Sequence, residues 1–479
     1  MNALVQRLYW ALPYSTKCWL ASRNAHKLDA ERFGSEYEGL VREITGRSHW
    51  TADQFLSHQR DALRTLIRHA ATCVPYYRQQ FAEAGLDPAS IREIDDLQRV
   101  PVLEKATARA NPGLLVDETL DRSALIVQYT SGTTGSPLAL YRDVRVNSAT
   151  FAFADARWHA AAGMCRRRNR SVSIGGHLVA EPGRRKPPFW VCNRRWNQLY
   201  MSSYHLSPAN MDSYVAVLRE FGADYIEGYP SSIHALASHV IERKLQPVPF
   251  KACFVTAETL FDFQREAIRE AFGCRTHNQY GCGEFAAFAC ECPHGTMHLS
   301  PEVGIVEVLD DRDRPVDCGQ TGRLVCTGLM NRVQPFIRYR LGDMGAIGGR
   351  SCPCGSEMPI LSHIEGRVDA VLLTRDGRRI GRLDPVFKGL RGIREAQVVQ
   401  DDWEQFRVRI VPSVEYTARM GTEVKESLEE RLGPGNAVRV EVVDAIERTG
   451  AGKFRAVVCR LPEEARRRAL GAAAPPSGG

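Results

Sequence analysis

Residues 129–138 have the sequence Tyr-Thr-Ser-Gly-Thr-Thr-Gly-Ser-Pro-Leu and follow a short apolar run, Ala-Leu-Ile-Val at 124–127. The apolar run predicts a buried strand. Two glycines among small hydroxyl residues allow backbone N–H groups to turn inward without obstruction by Cβ atoms, so amides and hydroxyls can converge on a phosphate. The loop lacks the Gly-Lys-Ser/Thr sequence that closes a Walker A motif. It therefore predicts either an ordinary turn or a phosphate-binding loop of another kind.

The bulk composition is that of a globular enzyme with more than one domain. The chain has 479 residues, of which 44% are hydrophobic and 25% charged, and this length predicts two or three domains. The net charge of +7 suits a protein that binds nucleotides or other anions. The short basic runs 166–168 and 184–186 are expected to be solvated loops, and no nucleic-acid-binding module is present, so we expect no nucleic acid partner.

The sequence also favours a cytoplasmic protein. No run of about 18 apolar residues is present, so no integral membrane segment is expected. Residues 1–27 lack the apolar core and the cleavage site of a signal peptide. Leu8, Trp10 and Leu12 would suit docking on a membrane surface, but we expect them to pack onto the main domain. Fourteen cysteines without a signal peptide predict free thiols in a reducing compartment.

Strands and helices alternate through the middle of the chain. Thr51 opens an early helix through a predicted capping box, and Ser207 begins a later helix that ends at Gly222. Strands are predicted at 224–227 and 252–256, each with a helix after it. This alternation predicts βαβ units and a largely parallel sheet.

The pattern changes in the last third of the chain. Strands at 303–309 and 323–327 around a turn predict an antiparallel subdomain. Short strands around one helix near 422–431 predict a small α+β domain at the C-terminus.

Four further stretches combine glycine with aromatic or charged residues. They are Thr256-Ala257-Glu258, Gln279-Tyr280-Gly281-Cys282-Gly283-Glu284, Arg338-Tyr339-Arg340-Leu341-Gly342-Asp343 and Arg448-Thr449-Gly450-Ala451-Gly452-Lys453. Each of them alone would also fit a Gly-rich turn with a solvated charge.

Together with the loop at 129–138, and in the same order, these stretches resemble the motifs of the adenylate-forming ligases. The details are most similar to the phenylacetate–CoA ligase branch and its capsule- or exopolysaccharide-associated members, and the resemblance extends from about residue 90 onward. It implies an α/β fold: a large N-terminal domain of βαβ layers plus an antiparallel β subdomain, and a small mobile α+β C-terminal domain. The implied domains are 1–367 and 368–471, followed by a disordered tail at 472–479.

The resemblance assigns roles to individual residues. Those that would bind ATP are Thr130, Ser131, Gly132, Thr133, Thr134, Gly135, Ala257, Glu258, Tyr280, Gly281 and Asp343. In the family the aromatic ring stacks on adenine and the aspartate accepts hydrogen bonds from the ribose. Glu284 would hold Mg²⁺, Arg367 would contact the nucleotide, and Lys453 would stabilise the charge that builds on the α-phosphorus. Asp369 would be the hinge between the domains.

The sequence departs from the family pattern at three places. Gly283 replaces a threonine that contacts the α-phosphate. Ser136 and Leu138 stand where relatives commonly have a lysine, so one phosphate-facing cation is missing from the loop, and Arg142 is a candidate substitute. Asp369 is flanked by valine and alanine rather than by a second aspartate.

The acyl substrate is signalled only weakly. By the resemblance, His205, Tyr229, Pro230 and Ser231 would line the acyl pocket, which suits an aryl or arylacetic acid. The segment 165–200, rich in arginine and tryptophan, would alternatively receive a larger or anionic substrate.

Two Cys/His groups about sixty residues apart suggest a metal site. They are Cys290-Glu-Cys292-Pro-His294-Gly-Thr-Met-His298 and Cys352-Pro-Cys354. Paired knuckles of this kind suit tetrahedral Zn²⁺, although buried free thiols fit the spacing as well. The resemblance implies a structural zinc held by Cys292, His298, Cys352 and Cys354, which would fasten the antiparallel subdomain; Cys290 and His294 stay open as alternatives.

These observations predict an ATP-dependent ligase. A small-molecule carboxylic acid would be converted to an acyl-adenylate with release of pyrophosphate, and coenzyme A would be the acceptor. Transfer of AMP to a hydroxyl substrate is one alternative. A non-catalytic nucleotide-binding partner in exopolysaccharide biosynthesis is another. The sequence leaves a homodimer open.

Overall fold

The computed structural model describes most of the chain. The described residues are 3–129, 138–177, 179–181, 183–207, 209–257, 260, 262–310, 312–365, 372–375, 378–380, 386, 393–412, 416–444, 446 and 457–462. The predicted phosphate loop at 130–137 lies outside them, as do Glu258, Arg367, Asp369 and Lys453.

Six helices form the N-terminal part. They are α1 (Ala3–Ala11), α2 (Tyr14–Arg32), α3 (Tyr37–Gly46), α4 (Ala52–Cys73), α5 (Pro75–Glu83) and α6 (Lys105–Ala110). The predicted capping box is confirmed, because the Thr51 side chain accepts a hydrogen bond from the Gln54 backbone and the Gln54 side chain accepts one from Thr51. The buried face of α4 follows the helical repeat, with Leu63, Ile67 and Ala70 in the core.

The centre of the large domain is an eight-stranded sheet. Its strands are β3 (Ser171–Gly175), β4 (Trp190–Asn193), β5 (Gln198–Ser202), β6 (Tyr225–Gly228), β7 (Ala252–Thr256), β8 (Thr276–Gly281), β9 (Phe288–Glu291) and β10 (Met297–Leu299), in the order β10-β9-β8-β7-β6-β3-β5-β4. The five strands from β5 to β8 run parallel, and the outer strands are antiparallel. The carboxyl ends of the parallel strands therefore meet at one edge, where α/β proteins bind ligands.

The remaining elements of this domain flank the sheet or form small additions to it. β1 (Ile126–Tyr129) and β2 (Ala139–Arg142) form a hairpin, and the helices α7 (Val144–Phe153), α8 (Met211–Phe221), α9 (Pro230–Glu242) and α10 (Asp262–Phe272) pack on the faces of the sheet. The structure corrects two predictions. β1 is not buried, since Val127 is 41% exposed on the hairpin, and α8 starts at Met211, four residues after Ser207, although it ends at Gly222 as predicted.

The antiparallel subdomain is confirmed. β11 (Gly304–Leu309), β12 (Gly322–Gly328), β13 (Tyr339–Ile347) and β14 (Leu361–Glu365) form one antiparallel sheet in chain order. Gly304 lies against the turn that leads into β9, where a Cβ atom would be 2.0 Å from the Ala286 carbonyl oxygen. A glycine at this position therefore lets the two sheets approach closely.

A separate small sheet occupies the C-terminal part. The hairpin β15 (Leu372–Leu373) and β16 (Arg379–Ile380) precedes β17 (Ile393–Asp402), β18 (Gln405–Pro412), α11 (Ala418–Leu432), β19 (Ala437–Val442) and β20 (Val457–Cys459). The sheet order is β19-β18-β17-β20, and α11 buries Val424 and Leu428 against it. The predicted α+β character is confirmed. This part touches the large domain, because Arg378 Nη1 donates to the Tyr204 carbonyl oxygen at 3.2 Å.

The N-terminal apolar residues do not all pack as expected. Leu8 is 61% exposed, so the expectation that it packs onto the main domain is wrong. Trp10 and Leu12 are half-buried, and Trp10 lines a cavity of about 380 Å³ together with Glu181 and Glu430. Among the described residues, no helix has the length and apolar character needed to cross a bilayer.

A buried polar network joins the helical layer to the sheet. His159 lies between two carboxylates, with Nδ1 2.7 Å from Asp155 Oδ1 and Nε2 3.2 Å from Glu227 Oε2. Arg166 donates to both oxygens of Glu227, at 2.8 and 3.0 Å, and the Tyr37 hydroxyl donates to Asp155. Burial alone would raise the pKa of Glu227, but Arg166 and then His159 outweigh it and lower this pKa to about 2.

We expect Glu227→Gln to destabilise the chain by about 3 kcal/mol at neutral pH, because it leaves Arg166 without its counter-charge. Since the pKa of Glu227 falls from 4.5 to about 2 on folding, its contribution is complete above pH 4.5 and is lost as the pH falls towards 2. Urea denaturation across this range should therefore show the difference between wild type and variant shrinking with acid. Glu38→Gln, at the exposed pair with Arg167, is the control and should change little.

Candidate functional site

Two of the predicted nucleotide-binding side chains lie in direct contact. Tyr280 is near the carboxyl end of β8, and Asp343 is on β13 of the other sheet. The Tyr280 hydroxyl donates to Asp343 Oδ2 at 2.9 Å. Burial, and then the negative charge of Asp343, raise the pKa of Tyr280, so the phenol keeps its proton and remains a donor. The fold thus brings together an aromatic ring and a carboxylate that the sequence pattern assigns to adenine and ribose.

The neighbouring strand end has a strained backbone. Ala257, directly after β7, has a φ of 71°, a conformation that a residue with a side chain seldom adopts. The Thr256 hydroxyl donates to the Gln279 side chain, which ties the ends of β7 and β8 together. Ala257 and Tyr280 therefore lie on adjacent strand ends at the edge where a ligand is expected.

Glu284 is a buried carboxylate on the turn between β8 and β9. Its side chain is 3% exposed. The Tyr339 hydroxyl donates to Glu284 Oε1 at 2.7 Å, and Lys105 Nζ lies 3.8 Å from the same oxygen. Both of these contacts are to Oε1, which leaves Oε2 outside them. A carboxylate oxygen left in this way suits Mg²⁺, which is held by one or two carboxylates and by substrate phosphates.

Lys105 was not predicted from the sequence. It is the first residue of α6, and only the fold places it beside Glu284. The arrangement also bears on the lysine that is missing from the phosphate loop. Leu138 is fully buried and takes part in the core, whereas the Arg142 guanidinium donates to the Gly283 carbonyl oxygen and so supports the turn that carries Glu284.

The residues predicted for the acyl pocket lie in two places, His205 after β5 and the other three at the start of α9. His205 is buried, with Nδ1 2.8 Å from Ser202 Oγ and Nε2 2.8 Å from the Glu181 carbonyl oxygen, and its ring stacks on Phe189. These contacts give His205 a structural position, and its role at the pocket stays a prediction. Tyr229 lies directly before α9, which starts with Pro230 and Ser231.

Four predicted metal ligands converge on one point. The ligand atoms of Cys292, His298, Cys352 and Cys354 all lie within 4.8 Å of one another. Cys292 directly follows β9 and His298 is in β10, whereas Cys352 and Cys354 lie on the loop between β13 and β14. The cluster therefore bridges the two sheets of the large domain. His298 Nδ1 lies 3.1 Å from the Met358 carbonyl oxygen, and Nε2 lies 3.4 Å from Cys354 Sγ.

This donor set fits Zn²⁺. Three sulfurs and one imidazole make a common tetrahedral site, and a ring nitrogen bonded to a backbone carbonyl is the usual support for a metal-bound histidine. Backbone N–H groups of His294 and Ser356 donate to Cys292 and Cys354, at 3.3 and 3.5 Å.

The two alternative ligands are separate from the cluster of four. Cys290 is buried in the core beside aromatic residues, and burial raises the pKa of its thiol to about 12. The His294 side chain is exposed.

The sequence is similar to those of known proteins. The family model described as the CapK C-terminal domain matches residues 372–460. Protein CapK of Staphylococcus aureus is 26% identical over 379 residues, 76% of this chain and 80% of the relative. A phenylacetate-coenzyme A ligase of Pseudomonas putida is 28% identical over 347 residues, 68% of this chain and 73% of the relative.

A solved structure shares the fold across almost the whole chain. It is 2-hydroxyisobutyryl-CoA ligase in complex with 2-HIB-AMP and CoA in the thioesterification state, with a TM-score of 0.57 and 23% identity, covering 89% of this chain and 94% of that one. The chain thus has the fold of this CoA ligase, and its C-terminal part matches the CapK C-terminal domain. In sequence, the chain is similar to phenylacetate-coenzyme A ligases and to protein CapK.

We expect Tyr280→Phe to weaken the binding of Mg·ATP about tenfold, because it keeps the ring but removes a hydrogen bond to a carboxylate. Isothermal titration with Mg·ATP measures this without knowledge of the acid. Tyr76→Phe, on α5, is the control and should bind as the wild type does. Unchanged binding by Tyr280→Phe would contradict a role for the bond between Tyr280 and Asp343 in the nucleotide site.

Proposed function

We propose that this ligase activates a carboxylic acid with Mg·ATP and transfers the acyl group to coenzyme A. The observation that carries the proposal is the convergence of Tyr280–Asp343 and Glu284–Lys105 at the edge where the parallel strands end. The relatives support the same chemistry, since they include phenylacetate-coenzyme A ligases and a CoA ligase solved with an acyl-adenylate and CoA.

The chain's residues would act in sequence. Tyr280 would stack on adenine, and Asp343 would orient the ribose. Glu284 would hold Mg²⁺, which neutralises charge as pyrophosphate leaves. Lys105, beside Glu284, would face the phosphates in place of the missing loop lysine, and Lys453 would add a second cation. The loop at 130–135, Glu258 and Arg367 would complete the nucleotide site.

Two bonds change in each half-reaction. A carboxylate oxygen of the acid attacks the α-phosphorus of ATP, and the bond to the bridging oxygen breaks, so pyrophosphate leaves. The small domain, 368–471, would then rotate about Asp369 relative to the large domain, 1–367. The thiol of coenzyme A attacks the acyl carbon and AMP leaves.

We assign the acid to the aryl or arylacetic class. Tyr229, with Pro230 and Ser231 directly after it and His205 beyond the end of β5, would border a pocket that suits an aromatic ring. None of the fourteen cysteines, all of which lie within the described residues, forms a disulfide, which supports a reducing, cytoplasmic setting where ATP and coenzyme A are available.

The proposal predicts acid-dependent release of pyrophosphate from Mg·ATP in the absence of coenzyme A. A panel of aryl, arylacetic and fatty acids would be tested with the wild type and with Lys453→Ala and Lys105→Ala. Removal of either cation should slow release about a hundredfold, since one preorganised donor is worth about this much. Lys425→Ala, at an exposed lysine of α11 in the same domain as Lys453, should keep full activity.

Two results would contradict this proposal. Release that is unaffected by Lys453→Ala would remove the lysine loop from the mechanism. Absence of release with every acid, while Mg·ATP still binds, would reject acid activation. Product analysis would then distinguish AMP attached to a hydroxyl substrate from a protein that only binds nucleotide.

We also propose that Cys292, His298, Cys352 and Cys354 hold a structural zinc ion. The support is the cluster geometry and the position of the cluster between the two sheets. The ion would fasten the loop between β13 and β14 to the β9–β10 hairpin. Because the cluster is complete with four protein ligands, it would leave no open position for catalysis.

About one zinc ion per chain is therefore expected in the purified protein by elemental analysis. Cys354→Ser should lose the metal and lower the melting temperature, since zinc bound to the folded state stabilises it. His294→Ala and Cys290→Ala test the alternative ligands and should retain zinc. Loss of zinc from either variant, or its retention by Cys354→Ser, would reject this ligand set.

A further inference from the structure

The N-terminal helical hairpin has an unusual outer surface. Among the described residues, ten large hydrophobic side chains are exposed, and four of them lie on α1 and the first turns of α2. They are Val5, Leu8, Tyr14 and Trp19, with exposed fractions of 51%, 61%, 40% and 56%. So dense a group of exposed apolar residues on a folded domain usually marks an interaction surface.

The charges on α1 and on α2 as far as Leu28 all have one sign. Residues 1–28 contain Arg7, Lys17, Arg23 and Lys27 and no aspartate or glutamate. Arg7, Arg23 and Lys27 are exposed, and the Arg23 guanidinium lies 5.3 Å from the centre of the Trp19 ring. We call the exposed set Val5, Arg7, Leu8, Tyr14, Trp19, Arg23 and Lys27 the basic apolar face.

The opposite side of α2 fixes this face outward. Cys18 is buried and accepts a hydrogen bond from the Cys192 backbone on β4, and Ser22 Oγ accepts one from Arg194 at 3.0 Å. Asp29, the first acidic residue of the chain, accepts a hydrogen bond from Trp196 Nε1 at 2.6 Å. Because these contacts hold the inner side of α2 on the large domain, Trp19 and Arg23 cannot turn inward without breaking them.

Polar contacts also hold the short helix α1 in place, against α2 and against the C-terminal part. Lys17 on α2 is buried, and its ammonium group donates to the Trp10 carbonyl oxygen at 3.0 Å. Gln6 on α1 donates to Glu430 of the C-terminal part at 3.4 Å. The polar contacts of α1 thus lie on one side, and Val5 and Leu8 remain on the surface.

We propose that the basic apolar face docks the protein on the surface of an anionic lipid bilayer. Helices that lie in the membrane interface combine exposed leucine and tryptophan with lysine and arginine, and basic residues near the surface add attraction to anionic headgroups. The proposal does not depend on the ligase activity, and binding to vesicles can be measured without it.

Charge also argues against a second copy of the chain as the occupant. A two-fold interface places the same patch on both subunits, so Arg7, Arg23 and Lys27 would face one another, and residues 1–28 contain no acidic residue to compensate. An anionic headgroup layer supplies the opposite charge that this face lacks.

Flotation of the full-length chain with vesicles tests the proposal. Vesicles of phosphatidylcholine with phosphatidylglycerol would be compared with vesicles of phosphatidylcholine alone. Binding is expected only to the anionic vesicles and should fall at high salt. Leu8→Ser with Trp19→Ser, and separately Arg7→Glu with Arg23→Glu, should each weaken binding at least about tenfold.

Matched controls separate this face from the rest of the surface. Val442→Ser removes another apolar side chain that is 56% exposed, and Arg419→Glu with Arg439→Glu makes the same change in net charge on the C-terminal part. Both should float as the wild type does. Equal binding to neutral and anionic vesicles, no binding to either, or equal loss in the controls would overturn the proposal. A dimer in analytical ultracentrifugation that Trp19→Ser dissociates, without vesicle binding, would assign the face to a second copy.

Discussion

The candidate site depends on one buried carboxylate. Glu284 is almost fully removed from solvent, and a charge in such a place must be compensated by hydrogen bonds or by an opposite charge. The Tyr339 hydroxyl and the Lys105 ammonium supply this compensation from two other parts of the chain, β13 and α6. The turn between β8 and β9 is thereby joined to the antiparallel sheet and to the N-terminal helices, and these three units meet where the nucleotide is expected.

The same constraint bears on the lysine that the predicted phosphate loop lacks. The family pattern puts that cation on the loop itself, whereas here Leu138 is committed to the core and cannot face a ligand. A cation is nevertheless close to the proposed Mg²⁺ ligand, because α6 begins with Lys105 beside Glu284. Arg142 contributes in another way: its bond to the Gly283 carbonyl oxygen holds the turn rather than the phosphate. Because residue 283 is a glycine, the turn has no hydroxyl at this position. The turn and Glu284 are therefore positioned by Tyr339, Lys105 and Arg142.

The sequence predicted those features whose signals are local. The parallel and antiparallel strands and the capping box at Thr51 follow from alternation and capping, whereas the set of four converging zinc-type ligands came from the family resemblance. The sequence did not predict contacts between distant segments. Lys105 is the clearest case, because no residue near it in the sequence indicates that it lies beside Glu284. Burial was also mispredicted where an apolar run has one face in solvent, as at Val127. A short run of this kind has the same sequence signal whether one face or both are covered.

Leu8 is a second apolar residue whose burial the sequence did not predict correctly. An amphipathic N-terminal helix can bury its apolar side against its own domain or against something outside it, and hydrophobic pattern alone does not distinguish the two. Here polar contacts of α2 decide which side of the helical hairpin is buried. Ser22 and Asp29 accept hydrogen bonds from the large domain, so their side of α2 faces inward. Once that side is fixed, the charged residues that remain exposed beside the apolar ones on α1 and on α2 up to Lys27 are all basic. These apolar residues are exposed because the hydrogen bonds of α2 hold its other side against the large domain. The basic residues around them favour a partner with an anionic surface.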